Sequence, residues 1–265
     1  MEHENEPSDT VAMVKQVTEV ARRLVAEQYP QARAAWLGGS VVRGDASATS
    51  DLDITVLLDG PPAPMRKSLE YGGWPVELFV HTEESLAYFC DKDRQRRQPT
   101  MMRLVGESLV LIDTDGSGVR LQQTCLEDVA TGPAALTVAE LELLRYTITC
   151  LLDDLADAPT DDMRTAIASV LWQDAARLLL TGARRWSGTG KGLLKELQTY
   201  DELRGTDHAR TVLAGVRAAS SADTRQLIEA TDAILDLYGG RLFAGFELSA
   251  DPAACAHSPD STAGT

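Results

Sequence analysis

Cysteine is scarce and scattered in this 265-residue chain: Cys90, Cys125, Cys150 and Cys255 lie far apart, with no CxxC pair. That spacing excludes a cysteine-rich zinc site and a disulfide framework, and it makes a reducing cytoplasm the expected compartment. Histidine is equally sparse, and His3, His208 and His257 show no metal spacing. Positive charge is in deficit. Twenty-five Lys and Arg face forty Asp and Glu, a formal charge of −15. Repulsion from phosphate backbones then argues against a nucleic-acid surface, and with it against a polymerase or a tRNA-tailing enzyme. No apolar run approaches the roughly 18–20 residues of a membrane-spanning helix. The opening MEHENEPSDT lacks a basic start followed by an apolar core, so no secretory leader is expected there.

What is present is an ordinary globular balance, 44% hydrophobic and 25% charged. Apolar residues at Val11, Val14, Val17, Ala21, Leu24 and Val25 recur at steps of three and four, which predicts an amphipathic helix over 10–28 closed by Pro30. Ala34-Ala35-Trp36-Leu37 predicts a short strand ending at Gly38-Gly39-Ser40, and 50–58 a second strand rich in branched residues. The runs 65–71 and 74–81 flank Gly72-Gly73 as the arms of a hairpin. Short helices are predicted over 83–93 and 99–105 and a strand over 108–112. After Gly132-Pro133 the pattern is helical throughout. The expected architecture is α+β: a mixed sheet flanked by helices over 1–120, an all-helical bundle over 121–248, and a disordered tail over 249–265.

The chemistry concentrates in Gly38-Gly39-Ser40-Val41-Val42-Arg43-Gly44-Asp45-Ala46-Ser47-Ala48-Thr49-Ser50-Asp51-Leu52-Asp53. Asp51 and Asp53, two apart on a strand, project from one face, and paired carboxylates suit a hard divalent cation such as Mg2+. Glycines between a strand and a helix let the backbone approach a ligand, and Ser40 near the following helix start can hold phosphate oxygens. Glu77 is an acid in the otherwise apolar run Trp74-Pro75-Val76-Glu77-Leu78-Phe79-Val80. If that strand lies beside the Asp51–Asp53 strand, Glu77 faces the same cleft, as a third ligand of a two-metal site or as the base for an acceptor hydroxyl. Taken singly, each feature also has a structural explanation: an acidic strand end, a glycine turn with a serine cap, an outward-facing glutamate.

Taken together, Gly39-Ser40, Arg43-Gly44 and Ser50-Asp51-Leu52-Asp53, with the distal Glu77, resemble the nucleotidyltransferase superfamily typified by DNA polymerase beta. The resemblance covers about 30–115 and is carried by a GS-x-x-R-G-x(5)-S-D-x-D pattern, as it stands in this sequence, shared with small-molecule and antibiotic-modifying members. Val76-Glu77-Leu78-Phe79-Val80-His81 is similar to the third-carboxylate strand of aminoglycoside adenylyltransferases. The resemblance implies Asp51, Asp53 and Glu77 as catalytic residues holding two Mg2+ ions, and Gly39, Ser40, Arg43 and Ser50 as nucleotide-binding residues. Gly188-Thr189-Gly190-Lys191-Gly192-Leu193-Leu194-Lys195 is similar to a segment that directs a lysine to the triphosphate, with Lys191 and Lys195 both candidates. The implied reaction moves AMP from ATP onto a small-molecule hydroxyl, an aminoglycoside or lincosamide by resemblance, and releases pyrophosphate.

A second reading is an antitoxin-like nucleotidyltransferase that modifies or binds a partner protein. The nuclease motif of a fused toxin, R-x(4)-H, is missing: Arg204-Gly205-Thr206-Asp207-His208 is one residue too short. Asp174 falls on an apolar helix stripe, where pairing with an arginine is favoured over an acceptor contact. The cluster Arg94, Arg96, Arg97 and Arg103 is read as balancing the acidic surface, and Tyr238 as a core or capping residue.

Overall fold

A computed structural model of the chain describes residues 7–44 and 50–249, the first five of them by backbone alone. Two compact units divide between Ala134 and Ala135. In the first, the order is α1 (Pro7–Gln28), β1 (Ala34–Gly38), α2 (Gly39–Arg43), β2 (Leu52–Leu57), β3 (Met65–Tyr71), β4 (Trp74–His81), α3 (Glu83–Arg96), α4 (Thr100–Gly106), β5 (Leu109–Asp113) and α5 (Ser117–Thr131). The second is helical: α6 (Val138–Asp157), α7 (Asp161–Gly182), α8 (Gly190–Arg204), α9 (His208–Ala219) and α10 (Arg225–Asp236). The chain is therefore α+β. Helix α5 packs on α4 and β5 and so counts with the sheet in the first unit. The expected tail lies outside the described residues but for Ser249, and so does the side chain of Val11.

The five strands run β3-β4-β2-β1-β5. Gly72 and Gly73, both at positive φ, turn β3 into β4 as an antiparallel hairpin. That reversal leaves β4 parallel to β2, while β1 pairs antiparallel with both β2 and β5. Alternation along the strands separates two faces. Leu52, Ile54, Val56, Val76, Leu78, Val80, Ala35 and Leu37 join the α1 stripe of Val17, Ala21, Leu24 and Val25 in one core. The opposite face carries Asp53 and Glu77. Ser85, three residues after Thr82, completes a reciprocal cap that starts α3 directly behind β4.

The helical unit has a separate core, with Ile148, Leu152, Leu171, Leu178, Leu193, Val212, Leu227 and Ile234 fully or almost fully buried. Among the described residues no helix is long and apolar enough to cross a membrane. Asp174 is paired with Arg177 at 2.7 Å, and the Tyr238 hydroxyl donates to the Leu179 carbonyl at 3.0 Å, so both serve the bundle.

Helices α9 and α10 meet closely because Gly215 has no side chain. A Cβ there would lie 2.7 Å from the Leu227 amide nitrogen and Cα. Gly215→Ala gains about 1 kcal/mol of helix propensity but forces two backbones apart, an overpacking cost of about 1–3 kcal/mol. The expected outcome is net destabilisation, read as a lower urea midpoint of unfolding for the variant.

Candidate active site

The site begins where β1 stops. Trp36 and Leu37 anchor the strand in the interior, and Gly38 pairs with Asp53 across the β1–β2 ladder. Gly39 then takes φ +79° and opens α2. A Cβ on Gly39 would sit 2.0 Å from Asp53 Oδ2, so the Asp53 carboxylate occupies the space any other residue would fill. Glycine is required here twice, for its backbone angle and for the close approach. Ser40 follows on α2, and its hydroxyl donates to the Ser50 hydroxyl at 3.0 Å, which ties the helix to the segment leading into Asp51. Arg43 ends α2. The intervening residues 45–49, among them Asp45, lie outside the described residues.

The parallel β2–β4 register sets Asp53 opposite Glu77. Asp51 stands just before β2, so it reaches the same face from the strand's open end. Asp51, Asp53 and Glu77 are each partly buried, and each offers a carboxylate oxygen within 4.8 Å of the others. Their crowding has an electrostatic consequence. Burial first, then the negative charges of Asp51 and Glu77, push Asp53 up to about 6, against a partial pull from Arg43 and Arg66. Three converging carboxylates form an all-oxygen donor set that fits a hard divalent cation.

Arg66 is the part of the site that sequence reasoning missed. Its Nη2 donates to both Glu77 oxygens at 2.7 Å, and its guanidinium lies 5.2 Å over the Phe79 ring. The signal was in the hairpin. Counting back from Gly72-Gly73 pairs Ser68 with Glu77 and Arg66 with Phe79, so Arg66 is the diagonal neighbour of Glu77 on one face. His81, two alternations beyond Glu77, is buried and bonded through Nδ1 to the Ser85 hydroxyl at 3.1 Å. Arg94 pairs with Asp91 and Asp128, and Arg103 with Glu107, so these two cations of the arginine cluster are held by local acids. Lys191 and Lys195 stand on α8 of the helical unit.

Residues 18–98 match the family model described as a nucleotidyltransferase domain. No curated protein matches the chain in sequence. Among solved structures, a nucleotidyltransferase-like protein from Exiguobacterium sibiricum is similar at 11% identity with a TM-score of 0.40, the match covering 83% of this chain and 80% of that one.

Two predictions follow from this geometry. Gly39 and Gly44 share nearly the same backbone angle, φ +79° and +78°, but an added Cβ at Gly44 meets nothing within 4 Å among the described residues. Gly44→Ala should cost the left-handed backbone penalty of about 1–2 kcal/mol, whereas Gly39→Ala should cost more and displace Asp53. Urea unfolding of the two variants side by side measures the difference. For His81, burial lowers the imidazole to about 4. The unfolded chain, at about 6.5, takes up the proton first as pH falls. The stabilisation present above pH ~6.5 is therefore lost towards pH ~4. Asp53 and Asp93, both raised by burial, titrate in the opposite sense, so the test compares variant with wild type at each pH. Between pH 7 and 4.5, His81→Gln should lose about 2 kcal/mol less stability than wild type in urea unfolding.

Proposed function

We propose that this chain, a nucleotidyltransferase whose nucleotidyltransferase domain lies at residues 18–98, moves AMP from ATP onto the hydroxyl of a small molecule and releases pyrophosphate. The observation that carries the reading is the meeting of Asp51, Asp53 and Glu77 on neighbouring parallel strands beside Gly39-Ser40. In this reading Asp51, Asp53 and Glu77 hold Mg2+, two ions in all. The bound cations would supply charge neutralisation at the attacking and leaving oxygens. Ser40, Ser50 and the Gly39 backbone bind phosphate oxygens, Arg43 adds positive charge, and Lys191 or Lys195 is the lysine assigned to the triphosphate. The acceptor hydroxyl oxygen bonds to the α-phosphorus as the bond from that phosphorus to the bridging oxygen breaks. The hydroxyl proton passes to Glu77 if Glu77 is the base rather than a third ligand. An antibiotic acceptor belongs to the same reading through the motif's likeness to antibiotic-modifying members, and the cytoplasm is its compartment.

The test is pyrophosphate release from each NTP with Mg2+ across aminoglycosides, lincosamides and simple alcohols. Acceptor-dependent release from ATP is expected. Asp53→Asn should keep the fold and lower turnover about 10³-fold, about 4 kcal/mol of transition-state stabilisation. Unchanged turnover in that purified variant sinks the metal assignment. Glu77→Gln should lower kcat about 10²-fold or more with nucleotide binding little changed if Glu77 is the base. An equal loss of binding assigns it to the metal instead. AMP appearing on a co-expressed protein, with no small-molecule acceptor, would replace the small-molecule reading by the partner-protein one.

A further inference from the structure

A cavity of about 360 Å3 opens on the same sheet face as the acidic cluster, between the β3–β4 hairpin and helices α3 and α4. Its size is at the lower end of small-ligand sites, enough for a single or fused ring and too small for a whole nucleoside triphosphate. The cavity and the carboxylates share Arg66, which contacts Glu77 and also lines the cavity. Along β4 the residues facing this side are Glu77, Phe79 and His81, passing from partly buried to buried. Each step of two residues is about 7 Å. A ring resting on Phe79 therefore presents a substituent of two or three bonds to Glu77.

The lining chemistry narrows the occupant. Phe79, Phe89 and Met101 supply apolar and polarisable surface suited to a ring. The charged groups are Arg66, Arg96 and Asp93. Asp93 is committed to the fold, since its Oδ2 accepts the Met101 and Met102 amides at 2.6 and 3.1 Å and so caps α4. His81 at the inner end is held neutral by burial and offers no charge at neutral pH. Arg66 is compensated by Glu77, and Arg96 is the remaining cation of a lining that also carries Asp93, so the cavity offers little net charge to balance an ionic ligand.

We propose that this cavity is the acceptor pocket and takes an uncharged, ring-bearing alcohol whose hydroxyl meets Glu77 at the mouth beside Arg66. The proposal rests on the nucleotidyl-transfer reading and narrows its acceptor to a ring-bearing alcohol. The probe is 2-phenylethanol, a ring with a two-carbon arm to a hydroxyl, titrated onto the full chain by saturation-transfer NMR with Mg2+ and a non-hydrolysable ATP analogue present. Leu104→Trp fills the cavity from α4, and Thr100→Trp blocks it from an exposed rim position that leaves the core untouched.

The expected result is saturable binding of the probe to wild type, weakened at least tenfold by either variant, with affinity for the ATP analogue unchanged within twofold. The proposal is overturned if wild type does not bind the probe or if both tryptophan variants bind it as wild type does. It is also overturned if the variants lose the ATP analogue in parallel, since the cavity would then be a nucleotide site. Failure of wild type to bind the analogue at all would instead remove the nucleotidyl-transfer reading, with probe binding scored independently.

Discussion

The parallel pairing of β2 with β4 is the constraint on which the site depends. A carboxylate cluster repels itself, and nothing in the local sequence of β2 or β4 would bring Asp53 and Glu77 together. The ladder that joins Leu52 to Val76 and Leu57 to His81 does so, because its interior face buries Ile54, Val56, Leu78 and Val80. A one-residue slip would turn those apolar side chains into solvent and point Glu77 into the core, so the hydrophobic face fixes the register that the acidic face needs. The electrostatic cost falls on Asp53, whose proton affinity rises through burial and the neighbouring charges. Stability and site chemistry are thus borne by opposite faces of the same two strands.

Much of this was legible because period and punctuation agree. The glycine pair at 72–73 marks the hairpin, the three-and-four spacing marks α1, and the alternation in Val76-Glu77-Leu78 singles out the one acid that cannot share the core face. The parallel partnership could be stated only as a condition, since strand order comes from long-range burial that no local window contains. Arg66 was recoverable from the hairpin count, yet a lone arginine on an edge strand carries no motif. The position of α5 was less legible. Its amphipathic pattern resembles that of the later helices, and only its packing on α4 and β5 assigns it to the sheet.

The glycines show the same division between visible motif and hidden reason. Gly39 and Gly44 both stand out in the pattern, and both adopt positive φ, but the space beside them differs completely. At Gly39 the missing side chain is replaced by the Asp53 carboxylate, so the backbone of α2 and the carboxylate are in direct contact. Ser40 follows at the next position and is held to Ser50 through their hydroxyls. A group bound by those hydroxyls is consequently adjacent to Asp53 by construction, whatever the exact course of residues 45–49. The spacing between the Gly-Ser pair and the first aspartate is the length of chain that this closure spans.

Arg66 ties the edge strand to the acidic cluster. Its side chain is 63% exposed and that of Glu77 24%, and an ion pair so open to water contributes about 0–1 kcal/mol to stability. Its value to the fold is therefore small, and its geometric effect is large. One guanidinium nitrogen bonded to both carboxylate oxygens fixes the plane in which Glu77 presents itself. The same guanidinium lies over Phe79, and both residues line the cavity between the hairpin and helices α3 and α4. Orientation of the carboxylate is in this way supplied by the edge strand rather than by the motif.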